Sequence, residues 1–189
     1  MRRLTFLAFA TLLATPALAG AQIGQCTFRG APDALPERPS PLDSVEVDLG
    51  GESAKLCYGR PSARGRHVVG GQDPYGSPWR LGANEPTTLH LPFPASIGDV
   101  EVGPGSYSLY AIPEDDSWTI VVNGNINRWG IPISPDVRQS DLGSFIVPVA
   151  RRDSHLETLH FTFERRSATA GDLVYEWEWT TFRIPIARR

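Results

Sequence analysis

Lysine is nearly missing from this chain of 189 residues: Lys55 stands alone among 18 basic residues, and the rest are arginine. Coding bias toward GC-rich codons accounts for scattered arginines such as those of the tail. Arginines clustered inside a motif carry more chemical weight, because the guanidinium fork can grip a carboxylate at two points. A basic stripe is also lacking. The formal charge is −3 and falls to −5 once residues 1–21 are removed, since Arg2 and Arg3 are the only charged residues among them. Such an acidic chain is a poor non-specific binder of nucleic acid, and no nucleic-acid partner is expected. Beyond the N-terminus no apolar run approaches the roughly 20 residues that a membrane helix needs, so no membrane span is expected. No stretch repeats at helical period. The sequence has no G-x-S-x-G elbow, no Gly-rich phosphate loop, no C-x-x-C and no H-E-x-x-H, and no cofactor is expected.

The N-terminus reads as an export signal. Arg2 and Arg3 form a charged start, Leu4 to Ala14 an apolar run, and Ala17 to Ala19 supply small residues for cleavage, with a cut after Ala19 or Ala21. Gln25 before Cys26 argues against lipidation of that cysteine. The expected location is periplasmic or secreted. In an oxidising compartment the two cysteines, Cys26 and Cys57, read as a disulfide, with two buried free thiols as the alternative. Closing a loop of about 31 residues would stabilise the fold by roughly 3–4 kcal/mol.

What remains reads as β-structure. Residues 22–41 are proline-rich and extended, and residues 42–189 form the domain. Val45, Val47 and Leu49 alternate with Glu46 and Asp48. Leu89, Leu91 and Phe93 do the same, as do Tyr107, Leu109 and Ala111, then Trp118, Ile120 and Val122, then Leu159, Phe161 and Phe163. The pattern predicts one all-β sandwich, jelly-roll-like, of about eight to ten antiparallel strands with little helix; only residues 134–141 suggest a helical turn. Near the C-terminus Leu173, Tyr175, Trp177 and Trp179 share one parity, but Phe182, Ile184 and Ile186 have the other. A bulge near Thr180–Thr181 is therefore expected, with the aromatic stripe in the core.

Chemistry-bearing patterns are few. His155 and His160 fall on opposite faces of one strand and make poor zinc ligands, so no metal site is expected. Asp115 and Asp116 sit in a tight turn, where solvated carboxylates are ordinary. Ser106 and Ser108 have no base nearby in sequence. The exception is residues 58–88, where Arg60, Arg64, Arg66 and Arg80 gather with Tyr75 and Trp79 among glycines and prolines. Arg60, Arg66, Tyr75, Trp79, Arg80, Asn84 and Glu85 are the candidate ligand-binding residues, suited to a small polar or anionic ligand. The structural reading of the same residues is a loop with its own small core, held by Arg80 and Asn84. "NRWG" (Asn127 to Gly130) is a weaker candidate for the same pocket.

The segments "YGRPSARGRHVVGG", "PYGSPWRLGANEPTT", "GPGSYSLYAIP", "WTIVVN" and "WG" stand in this order. Their succession from about Leu42 to Ile186 resembles the exported bacterial family known as domain of unknown function 2911. The departures are small: Pro86 after the glutamate, Tyr110 where phenylalanine is common, and "GQD" before Tyr75. The resemblance implies a secreted or periplasmic, mainly β domain in which Arg60, Arg80, Asn84 and Glu85 belong to the family's pattern; it implies no reaction. Three functions follow as expectations. The first is a non-enzymatic, envelope-associated binding module. The second is a hydrolase-like enzyme with Glu85 as general base and Arg80 stabilising an oxyanion. The third is a purely structural protein, and a protein partner is left open.

Overall fold

The computed structural model describes residues 24–189, so the export-signal reading lies outside the described residues. Strands are set by the alternating segments: β1 (Leu42–Leu49), β2 (Glu52–Gly59), β3 (Thr87–Leu91), β4 (Ala95–Ile97), β5 (Val100–Val102), β6 (Gly105–Pro113), β7 (Ser117–Asn123), β8 (Asp141–Pro148), β9 (Ala150–Arg165) and β10 (Ala170–Arg188). Residues 134–141 supply the expected helical turn, α1 (Pro135–Arg138), whose first turn is capped by the Ser134 hydroxyl accepting from the Val137 N–H. β1 and β2 are joined through Gly50 and Gly51, both at positive φ (67° and 79°), which a two-residue hairpin turn demands.

Among the described residues the ten strands pair antiparallel throughout, in one sheet of order β1-β2-β3-β6-β7-β8 and another of order β5-β4-β10-β9. The β4–β5 hairpin leaves the first sheet for the second, which lets β3 and β6 pair directly. Val47, Leu56, Leu89, Leu109 and Ile120 from the first sheet meet Leu159, Phe161, Leu173, Tyr175 and Ile184 from the second, all buried. At one end of this core lies an aromatic cluster. Trp79 stacks on Trp177 (centroids 5.8 Å, planes 18° apart), Tyr175 stacks on Phe182 (4.4 Å, 13°), and Trp118 tilts against both Tyr175 and Phe182.

Trp79 comes from a strap, residues 60–86, that closes this end. Its start pairs with β9, since the Ala63 N–H donates to the Glu157 carbonyl and the Leu159 N–H to Pro61. Its end pairs with β6, as Trp79 and Ala111 exchange N–H···O bonds of 2.7 and 2.8 Å. The expected aromatic stripe on β10 needs correction. Trp177 is buried, but Trp179 is 40% exposed, so the two do not share a face. The reversal lies at Glu178, whose φ is +50° and where the register with β9 shifts on both sides, two to three residues before the expected position. From Glu176 to Glu178 β10 advances two residues while β9 runs four, from His160 to Leu156; from Glu178 to Thr180 the count is two against five, to Arg151.

Residues 24–41 cross the outer face of the first sheet and are tied to β2 by the Cys26–Cys57 disulfide, with Cα atoms 5.5 Å apart. Replacing both cysteines by serine should lower the unfolding free energy by about 3–4 kcal/mol, the loop-entropy value for this separation. Urea unfolding of the two proteins, compared under oxidising conditions, measures the difference.

Candidate functional site

The "WRLGANE" segment is a junction within the chain. Leu81 and Asn84 both adopt left-handed backbone (φ 57° and 63°), which folds the segment into a tight corner. Glu85, 5% exposed, receives Arg38 Nη1 at 2.8 Å and the Arg29 N–H at 2.6 Å. Asn84 Nδ2 donates to the Ser40 carbonyl at 3.0 Å, and Arg80 Nε to the Gly82 carbonyl at 3.0 Å. Burial lowers the Arg80 pKa from the usual guanidinium range, while the nearby Asp73 and Glu85 carboxylates oppose that shift. The "NRWG" loop docks on the same corner: the Gly130 N–H donates to the Asn84 carbonyl, and a Cβ at Gly130 would clash with Arg80 Cδ.

The remaining candidate residues divide the same way. Arg60 donates to the Leu159 carbonyl and pairs loosely with Asp43 at 3.6 Å. Arg66 bonds to the Ala63 and Ser62 carbonyls and to Gln72 Oε1, all within its own strap. Trp79 is core, 6% exposed. Six of the seven thus meet other parts of the chain, and Tyr75 alone opens on a cleft.

That cleft, about 390 Å³, lies where three elements meet. The strap contributes His67, Val69 and Tyr75; the β6–β7 turn contributes Asp115 and Asp116; the irregular stretch of β9 and β10 contributes Arg151, Glu178, Trp179 and Thr180. The walls are cross-braced through backbone, since the Gly76 N–H donates to the Pro113 carbonyl (2.8 Å) and the Val149 N–H to the Asp116 carbonyl (2.9 Å). Tyr75 leans on Gly70, where an added Cβ would come within 2.7 Å of the ring.

Glu178 is the unusual residue in this arrangement. A left-handed glutamate costs on the order of 1–3 kcal/mol of backbone strain, which surrounding contacts must offset. Here the offset is visible. The carboxylate, on a residue only 4% exposed, accepts from the Val68 N–H at 3.1 and 3.2 Å and from the Val69 N–H at 2.9 Å. Trp179 is thereby turned outward, where the Arg151 guanidinium lies over its ring at 4.4 Å from the centroid and His155 meets it edge-on at 5.5 Å. Burial, and after it the neighbouring Asp115 carboxylate, push the Tyr75 phenol pKa up. Among the described residues no group of three or more His, Cys, Asp or Glu side chains is gathered to hold a metal ion.

Sequence reasoning missed Trp179 because strict alternation assigns it to the core. It missed Arg151 because nothing local marks it. Asp115 and Asp116 were visible as turn carboxylates, and only the fold brings them into one cleft with Tyr75 and Trp179. A base beside Ser106 was missed as well. His90, its cross-strand partner, holds Ser106 Oγ 2.7 Å from Nδ1, and Gly24 of the N-terminal segment covers the imidazole. Burial, with Lys55 as a smaller cause, lowers the His90 pKa.

A family described as "Protein of unknown function (DUF2911)" matches residues 40–186. No curated protein and no solved structure matches the chain.

Two measurements test the physical reading of these residues. Glu178→Gln removes the charge from hydrogen bonds to buried amides and should lower the unfolding free energy by about 2 kcal/mol in urea titration. For His90 the folded pKa is depressed, so on acidification the unfolded chain takes up the proton first. Its contribution is complete above about pH 6.5, the ordinary histidine value, and is lost as the pH falls below it. The drop in unfolding free energy between pH 7 and pH 5 should therefore be smaller in His90→Gln than in the parent protein.

Proposed function

The chain belongs to the DUF2911 family, whose function is unknown, and on that premise we propose that it is an exported, non-enzymatic module binding a small polar ligand in the cleft between Tyr75 and Trp179. The observation that carries this reading is the pair of large rings left open there, 44% and 40% exposed, beside Asp115, Asp116 and Arg151. Open rings flanked by fixed donors and acceptors are what a polar ligand with an apolar face requires, and the cleft volume falls in the range of small-ligand sites. The acidic wall formed by Asp115 and Asp116 favours a neutral ligand over an anionic one. In this reading Tyr75 touches the ligand, while Arg60, Arg66, Trp79, Arg80, Asn84 and Glu85 act through the walls they hold. Export is supported by the leader-like N-terminus and by the disulfide, which suits an oxidising compartment.

The two rival readings fit less well. A hydrolase using Glu85 as base needs a carboxylate free to take up a proton, yet both Glu85 oxygens already accept from Arg38, and one also from the Arg29 N–H. A purely structural role accounts for the "WRLGANE" corner and for Glu178, which fastens the strap, but leaves the outward Trp179 and the exposed Tyr75 without a purpose.

A thermal-shift screen of sugars, amines, small carboxylates and phosphates tests the proposal. A ligand at 100 times its dissociation constant should stabilise the protein by about 2.7 kcal/mol, a rise of several degrees. Tyr75→Ala should abolish that rise with little change in the unliganded melting temperature, whereas Arg80→Ala should lower the unliganded value. Silence across the whole panel would count against a binding function.

A further inference from the structure

The cleft does not end at Trp179. A second hollow of about 240 Å³ is lined by Pro148, Val149, Ala150, Thr181, Phe182 and Arg183, and it shares Val149 and Ala150 with the first. The two hollows adjoin at Val149 and Ala150, where β8 passes into β9 beside β10. The first has the rings of Tyr75 and Trp179; the second has an apolar floor in Phe182 and a polar rim in Arg183.

The charges select among ligand classes. Asp115 and Asp116 oppose an anion. Arg151, whose guanidinium lies 4.4 Å from the Trp179 centroid, repels an organic cation at that ring. Glu178 is buried, with its oxygens committed to the Val68 and Val69 amides, so it holds the wall rather than reaching into the cleft. What remains is a lining that offers the Asp115 and Asp116 acceptors, the Arg151 donor and the apolar surface of Tyr75, Trp179 and Phe182. Each hydroxyl of a sugar can both donate and accept, so a neutral sugar satisfies donor and acceptors alike without a charge mismatch. The axial C–H bonds of a sugar ring present a weakly positive face, complementary to the negative face of an aromatic ring. Trp179 is held from two sides by Arg151 and His155, so stacking on it costs little side-chain entropy.

From the adjoining hollows, the mixed charges and the fixed rings, we infer that the ligand is a neutral oligosaccharide, with one sugar ring between Tyr75 and Trp179 and the chain continuing past Ala150 over Phe182. This rests on the cleft being the binding site, as proposed above.

Isothermal titration of the full exported chain tests it. The probes are neutral tetrasaccharides of glucose, xylose, mannose and N-acetylglucosamine, their monosaccharides, a tetragalacturonate and tetramethylammonium. At least one neutral tetrasaccharide should bind, and its monosaccharide at least about tenfold more weakly. Trp179→Ala should weaken the tetrasaccharide about tenfold or more, equivalent to 1.4 kcal/mol. Asp116→Asn, in an exposed turn, should also weaken it, and Trp129→Ala, an exposed ring on another loop, should not. Binding of tetramethylammonium or tetragalacturonate with the neutral sugars silent would overturn the saccharide class and leave the cleft as the site. Sugar binding that survives both Trp179→Ala and Asp116→Asn would overturn the placement in these hollows. Silence of every probe would overturn the inference together with the cleft reading beneath it.

Discussion

The contact on which the cleft end of this protein depends joins one carboxylate to two backbone amides. Glu178 sits in the left-handed region, buried, with its oxygens on the Val68 and Val69 N–H groups. Unpaired, a buried carboxylate would be costly, and so would two buried amides. Together they satisfy one another and fasten the strap to the second sheet. The same backbone twist reverses the parity of β10. Upstream of it Trp177 points into the core; downstream of it Trp179 points out, and Phe182 resumes the core pattern. One local irregularity therefore closes the sandwich and opens the cleft.

Around that contact the strap works as a cross-brace. Its first residues bond to β9, Trp79 inserts between Trp118, Tyr175 and Trp177, and the "WRLGANE" corner gathers the N-terminal segment and the "NRWG" loop. The dense arginines of residues 60–80 make sense in this setting. Arg60, Arg66 and Arg80 each donate to backbone carbonyls that no strand partner reaches, and a planar donor fork suits that task better than an ammonium. Asp73 stands in the same cluster. Burial raises its pKa, with Arg80 and Arg66 opposing the shift and Glu178 adding to it. The cleft walls are thus rigid for reasons that lie outside the cleft.

Much of the fold was legible because alternation is a local signal. The stripe Val45, Val47, Leu49 and its counterparts on β3, β6, β7 and β9 mark strands directly, and "SPDVRQ" carries its own serine cap and proline start. The cysteine pair was readable from compartment and count. The parity change on β10 was readable too, but its place was not. Glu178 is fixed by a partner 110 residues away and by extra residues on β9, and neither leaves a mark near Thr180. The arginine-rich segment drew attention as a site for the same reason that it braces the fold: buried polar junctions and ligand sites use the same residue types. What separates them is exposure, which sequence does not display. Tyr75 is open, and Glu85, ten residues on, is closed.

The strap is held as firmly as a strand, so that the cleft is already formed in the unliganded protein. Native-state hydrogen exchange at the Val68 and Val69 amides measures this directly. Both lie outside regular strands, yet their bonds to Glu178 predict protection approaching that of the core amides of β10, with opening only through global unfolding. Exchange at the rate of an exposed loop, while the β10 amides stay protected, would mean that the wall opens on its own and would contradict a preformed cleft.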